Sequence, residues 1–284
     1  VTSQPSRRGE PEDPDPLPIA VVDNHTHLDI SREGEPAGVG DLGPALRAAA
    51  AVGVDRVVQI GCDPAGNEFA VAAAEEYGSV LAGVALHPNE VPGLVAAGRF
   101  DAAMDRVSEL AVHPRVRVVG ETGLDFFRTP PEGHAAQEES FRRHVDLAKR
   151  TGRVLQIHDR DSHDDVLRVL ADEGAPERTV MHCFSGDLEM ARECVRRGYH
   201  LSFSGTVTFK SAKGLRDALA VTPPELLLVE TDAPYLTPHP WRGASNSPRL
   251  VPLTVRAMAA VLGLAVPTLC QALSENSERL YGPW

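Results

Sequence analysis

Two histidines separated by one residue stand in Val21-Val22-Asp23-Asn24-His25-Thr26-His27-Leu28-Asp29, directly after the apolar run Ile19-Ala20-Val21-Val22. On an extended chain, side chains two apart point to the same side, so His25 and His27 would present two imidazoles to one point. Asp23 and Asp29 flank them as further ligands or as partners that orient the rings. A lone His-x-His often arises by accident. Here the same chemistry returns along the chain: apolar runs lead into His87, Glu121, His158, His182 and Glu230-Thr231-Asp232. Imidazoles and carboxylates gathered in one place make a site for divalent metal ions, and a carboxylate such as Glu121 can serve two ions because its oxygens bind separately.

That chemistry needs a framework that brings the ends of all those runs together. Apolar, strand-like runs fall at 19–23, 56–60, 81–86, 115–119, 153–157, 178–181, 200–203 and 226–229. Stretches of helical periodicity lie between them, at 42–52, 67–77, 101–112, 134–150, 163–173, 188–197 and 213–220. Two further helices, at 251–262 and 267–280, close the chain. Eight near-continuous apolar strands alternating with helices predict a parallel sheet closed into a (β/α)8 TIM barrel, with its site at the C-terminal ends of the strands. An open doubly wound sheet is the structural alternative, but no Gly-x-Gly-x-x-Gly follows the first strand. Of the 11 histidines, five (His25, His27, His87, His158 and His182) end strands, far more than scatter would place there.

On the residues alone, His158, His182, Glu121 and Asp232 read as metal ligands. His87, which precedes Pro88, could ligate or could touch substrate. Glu230 reads as an acid behind the ligands or in the barrel core. Cys183 beside His182 lacks a dedicated base and reads as a small buried hydrophobe rather than a nucleophile.

The composition narrows the partners. The 284-residue chain carries a net charge of −12, which is not the footprint of a protein that coats nucleic acid. Bound divalent cations would reverse that sign locally. Cys62, Cys183, Cys194 and Cys270 are far apart and form no Cys-x-x-Cys, so no disulfide partner is expected and reduced, cytoplasmic thiols are the plain reading. No apolar run is long enough to span a membrane. Residues 1–18, rich in proline and acids, are expected to form a disordered tail, with residues 19–284 as one domain. A monomer is expected.

Several stretches together resemble the TatD-like metal-dependent hydrolases of the amidohydrolase-type barrel superfamily. They are Asp23-Asn-His25-Thr-His27-Leu-Asp29, Leu86-His87-Pro88, Gly120-Glu121-Thr-Gly123-Leu-Asp125-Phe-Phe-Arg128 and Gln156-Ile-His158-Asp-Arg160. Met181-His182-Cys-Phe-Ser-Gly186, Glu230-Thr-Asp232-Ala-Pro-Tyr-Leu236 and Asn276-Ser-Glu-Arg-Leu280 complete the series. The resemblance runs from residue 19 to the end, in family order. It implies that His25, His27, Glu121 and Asp232 hold a first ion and that Glu121, His158 and His182 hold a second. Asp232 would orient or deprotonate the attacking water, and His87, Asp125 and Arg160 would lie near the substrate. It also implies a deoxyribonuclease, often a 3′-exonuclease, with DNA as a transient partner. The alternative is a metal-dependent hydrolase of carboxylic esters, lactones or amides. The ions expected are Zn, Mg or Mn: imidazole-rich ligands favour the transition metals, whereas the family's nuclease activity is associated with Mg. The family's Arg-Asn-x-Pro element is spread out here as Arg242-Gly-Ala-Ser-Asn246-Ser-Pro248.

Overall fold

The computed structural model describes residues 10–31 and 40–284. Eight strands follow one another around a parallel sheet in chain order: β1 (Val21–Thr26), β2 (Val54–Ile60), β3 (Val80–Val84), β4 (Val116–Asp125), β5 (Val154–Arg160), β6 (Thr179–Met181), β7 (His200–Phe203) and β8 (Leu227–Val229). The helices between them are α1 (Gly43–Ala51), α2 (Pro64–Glu76), α3 (Val91–Ala96), α4 (Phe100–Ala111), α5 (Pro131–Thr151), α6 (His163–Glu173), α7 (Leu188–Arg196) and α8 (Lys213–Val221), followed by α9 (Val251–Leu262) and α10 (Val266–Tyr281). The seam between β8 and β1 is closed by Asp232 N donating to His25 O (3.0 Å) and His27 N donating to Ala233 O (2.8 Å). The expected (β/α)8 barrel is therefore the fold, and its closing bonds lie on three of the predicted ligands.

Two apolar layers hold it. The larger lies between strands and helices and draws on both. The smaller fills the barrel with Val22, Val58, Ile60, Leu81, Val118, Val154, Val180 and Leu228, and is plugged from below by Leu280 and Tyr281 of α10. Strict alternation would turn His25 away from the face that Val22 occupies. A register irregularity between Asp23 and Thr26 turns both inward. A matching shift between Val119 and Thr122 does the same for Glu121 after Val118. β4 consequently runs six residues beyond its expected end at Val119.

Gly123 shows how tightly β4 and β5 are joined above that shift. Its φ is +135°, and an added Cβ would collide with the carbonyl oxygen of His158. Gly123→Ala is expected to cost about 2–3 kcal/mol through strain and overpacking, read as a lowered Tm. It would also separate Glu121 from His158, so metal content should fall with the Tm; an unchanged melt would refute the close approach.

Two expectations differ from the structure. Residues 10–18 are not a loose tail: Leu17 is buried in the core and donates its N–H to Val52 O (2.9 Å). Arg249 holds Asp13 (2.6 Å) and Arg256 holds the carbonyl of Asp15 (2.7 Å), so two partly buried arginines tie down a segment too polar to fold alone. Residues 1–9 lie outside the described residues. The short helix α3 was not expected, because Val91-Pro92-Gly93 carries breakers at its start. Among the described residues no single helix is long and apolar enough to cross a membrane.

Candidate metal centre

The inner side chains of β1 decide the site. His25 Nδ1 donates to Gln156 Oε1 (2.8 Å). Gln156 is fixed in that orientation because its Nε2 donates to Asn24 O (2.9 Å) and Tyr281 Oη (3.1 Å). His27 Nδ1 donates to Ile60 O (2.9 Å). Each ring thus spends its Nδ1 proton on an oxygen and turns an Nε2 lone pair inward. The two Nε2 atoms face each other at 3.1 Å. Two lone pairs that close repel unless a positive charge sits with them. Glu121 Oε1 lies 3.5 Å from each, and Asp232 Oδ1 lies 3.9 Å from His25 Nε2 and 3.6 Å from His27 Nε2.

A second group forms on the other oxygen of Glu121. Oε2 lies 3.1 Å from His158 Nδ1 and 3.2 Å from His182 Nε2. His182 Nδ1 in turn lies 2.9 Å from Glu230 Oε1, a charge contact outside hydrogen-bond alignment. His158 turns its Nε2 to Asp125 Oδ2 at 3.3 Å. Ligand atoms about 2.1 Å from one ion stand about 3–3.5 Å apart, close to the distances of Glu121 from His25, His27, His158 and His182, and the donor chemistry is that of divalent-cation sites.

The charge balance points the same way. Burial alone would raise the Glu121 carboxyl, but the surrounding imidazoles, with hydrogen bonds from His158 and His182, hold it well below the usual range. Asp232 is lowered too, its burial outweighed by His27, His182 and His25. Burial works against a charge on His182, yet Glu230 and Glu121 push its pKa well above normal. His25 is lowered, by burial first and then by the neighbouring His182. Two carboxylates and their imidazoles therefore call for added positive charge at these two points.

The remaining predicted residues divide. His87 Nδ1 accepts from Asn89 N (3.1 Å), so its Nε2 carries the proton and faces Glu121 Oε2 at 3.7 Å. Burial pushes its pKa down to about 3, and as a neutral N–H donor it suits an anionic oxygen rather than an ion. Asp125, expected near the substrate, is buried and fully engaged. It accepts from Asn89 Nδ2 (2.9 Å) and Arg128 N (2.8 Å) besides facing His158, an arrangement suited to orienting that imidazole. Asp125→Asn is then expected to weaken metal binding about 10–100-fold while leaving KM for substrate unchanged at saturating metal. Competition with a chromophoric chelator reads the first and steady-state kinetics the second; a KM effect with metal affinity intact would restore the substrate role.

Asp23 and Asp29 also stand behind the ligands. Asp23 accepts from Thr231 N (2.8 Å) and Oγ1 (2.6 Å), which sets the turn that presents Asp232. Asp29 accepts from Gln59 Nε2 (2.7 Å). Arg160 lies at the rim with its guanidinium 4.1 Å from the centre of the Phe127 ring. Asn246 of the spread loop is buried and donates to Thr231 O (2.9 Å) and Tyr235 O (2.7 Å), a bracing role. Cys183 Sγ lies 3.3 Å from Ser204 Oγ, and burial pushes its thiol pKa well up, in keeping with an inert thiol. Gln156, Asn89 and Cys62 were not foreseen. Cys62 Sγ lies 3.4 Å from Glu121 Oε1. Gln156 left a trace as a polar residue inside the apolar run Val154-Leu155-Gln156-Ile157, and Cys62 by its place at the end of the second strand.

A parallel barrel that turns unshared imidazole lone pairs and a two-sided carboxylate into its mouth defines a metal-dependent hydrolase of the barrel class. Within that class the family model described as "TatD related DNase" matches residues 22–282. The chain belongs to the TatD family of metal-dependent hydrolases. It is 45% identical over 267 residues to the uncharacterized metal-dependent hydrolase TatD of Mycobacterium tuberculosis, covering 92% of this chain and 98% of that one. It is 34% identical over 264 residues to the uncharacterized metal-dependent hydrolase YabD of Bacillus subtilis, covering 92% and 98%. The crystal structure of YjjV, a TatD homolog from Escherichia coli K12, superposes with a TM-score of 0.82 at 28% identity, covering 92% of this chain and 97% of that one.

Proposed function

We propose that this hydrolase is a deoxyribonuclease that cleaves phosphodiester bonds, in the manner of a 3′-exonuclease, with two divalent cations. The observation that carries the proposal is the division of Glu121, whose Oε1 faces His25 and His27 and whose Oε2 faces His158 and His182. Two adjoining cation positions sharing one carboxylate suit a phosphoryl group, which carries charge on both its attacking and leaving sides. The description of the matching family model as a DNase supports it. His25, His27, Glu121 and Asp232 would hold one ion and Glu121, His158 and His182 the other, supplying Lewis acidity and a water of lowered pKa.

The chain's own residues do the rest. Asp232 keeps 16% of its side chain exposed where Glu121 keeps 5%, so Asp232 is the carboxylate that reaches solvent and takes a proton from the attacking water. His87 donates its Nε2 proton to a phosphoryl oxygen, a role its Asn89-fixed tautomer prepares. A cavity of about 370 Å³ beside His27, lined by Ile30, Ala233, Pro234 and Asn246, gives room for part of the substrate. With a chain charge of −12, the cations are what let a polyanion approach. Zn, Mn or Mg would serve. A monomer is the working unit of this reading, and the four free thiols fit a reducing, cytoplasmic setting.

The test is a substrate panel on metal-loaded protein: bis-(p-nitrophenyl) phosphate against p-nitrophenyl acetate and a simple lactone. Turnover of the phosphodiester above the esters is the expected result. Ester or lactone turnover without phosphodiester cleavage would keep the metal centre and move the reaction to carboxylic esters.

A further inference from the structure

Phe127 is 62% exposed, which is unusual for a phenylalanine held on a rigid turn. The turn is fixed on every side: Phe126 N donates to Arg160 O (2.9 Å), Arg128 N donates to Asp125 Oδ1 (2.8 Å) and Thr129 Oγ1 donates to Asn89 Oδ1 (3.0 Å). The neighbouring Phe126 is partly buried and stacks on His134 with ring centres 3.8 Å apart. Phe127 is therefore held outward by its surroundings rather than left over from packing. Arg160 lies against it, 4.1 Å from the ring centre. Each member of the pair stands two residues beyond a residue of the site, Phe127 beyond Asp125 and Arg160 beyond His158.

We propose that the Phe127–Arg160 pair is a stacking platform for a nucleobase of single-stranded DNA whose scissile phosphate lies at the metal centre. The inference rests on the phosphodiesterase reading above and adds what that reading lacks, a reason for the enzyme to prefer a nucleotide over any other phosphodiester. An exposed ring with a guanidinium beside it offers a flat apolar face and a positive charge together, which suits a base on a phosphate backbone and suits an aliphatic ester poorly. Stacking accepts any base, so the preference is for the presence of a base and not for its identity.

The experiment compares an oligothymidylate with the same oligomer made abasic at its two 3′-terminal positions, using metal-loaded wild type, Phe127→Ala, Phe127→Leu and Phe127→Trp proteins. Phe127→Ala is expected to raise KM for the base-carrying oligomer about tenfold or more, with kcat nearly constant and the abasic oligomer unaffected. Phe127→Leu keeps an apolar side chain and is expected to behave like the alanine variant, whereas Phe127→Trp restores the low KM. Equal losses on both oligomers, or no change on either, would overturn the platform and leave the nuclease reading standing. Cleavage of neither oligomer by wild type, with turnover of p-nitrophenyl acetate, would remove the nuclease reading and the platform with it.

Discussion

Glu121→Ala is expected to purify with neither ion and to lose about a thousandfold or more in turnover. The expectation follows from one side chain serving both groups: Oε1 is 3.5 Å from His25 and His27, and Oε2 is 3.1 Å from His158 and 3.2 Å from His182. Without it the His158–His182 group keeps two imidazoles alone, the His25–His27 group keeps two imidazoles and Asp232, and half of the carboxylate charge that balances two cations is gone, so neither ion should survive dialysis. Metal analysis per chain reads the effect apart from activity. A variant that retains two equivalents would show that Glu121 does not join the groups.

Asp232→Asn is expected to lower kcat about 10²–10⁴-fold, with KM nearly unchanged. Asparagine keeps the size of the side chain and an oxygen to turn toward His25 and His27, but it has no charge and cannot take a proton. Asp23, bonded to the backbone and hydroxyl of Thr231, would still hold the segment in place. Two causes of a slow enzyme can be separated here. If the loss came only from weaker metal binding, excess Mn²⁺ or Zn²⁺ would restore the rate. The proton-acceptor role predicts that saturating metal leaves the rate low.

The gathering of the strand-end histidines, Glu121 and Asp232 was legible in the sequence because candidate metal ligands come from few residue types and a parallel barrel brings strand ends to one face. His25, His27, His158 and His182 all fall where that logic places them. What the sequence did not show is which residues stand behind the ligands. Asp125 has the charge and position of a substrate contact, and only the structure shows its carboxylate engaged with Asn89, Arg128 and His158. Gln156 and Asn89 are uncharged, lie far along the chain from some of the groups they position and have no diagnostic spacing. The irregularities that turn His25 and Glu121 inward are likewise absent from a pattern of alternating side chains, since a register shift depends on the neighbouring strand. The docked residues 10–18 were missed for a related reason: their own composition cannot order them, and the order comes from Arg249 and Arg256 more than two hundred residues away.

The most direct measurement is hydrolysis of end-labelled single-stranded DNA by protein stripped of metal and then given Mg²⁺, Mn²⁺ or Zn²⁺ in turn. The account predicts no cleavage without metal, stepwise shortening from the 3′ end once an ion is restored, and loss of that shortening in Asp232→Asn. DNA left intact under every ion while p-nitrophenyl acetate is consumed, or cleavage that persists in the stripped protein, would contradict it.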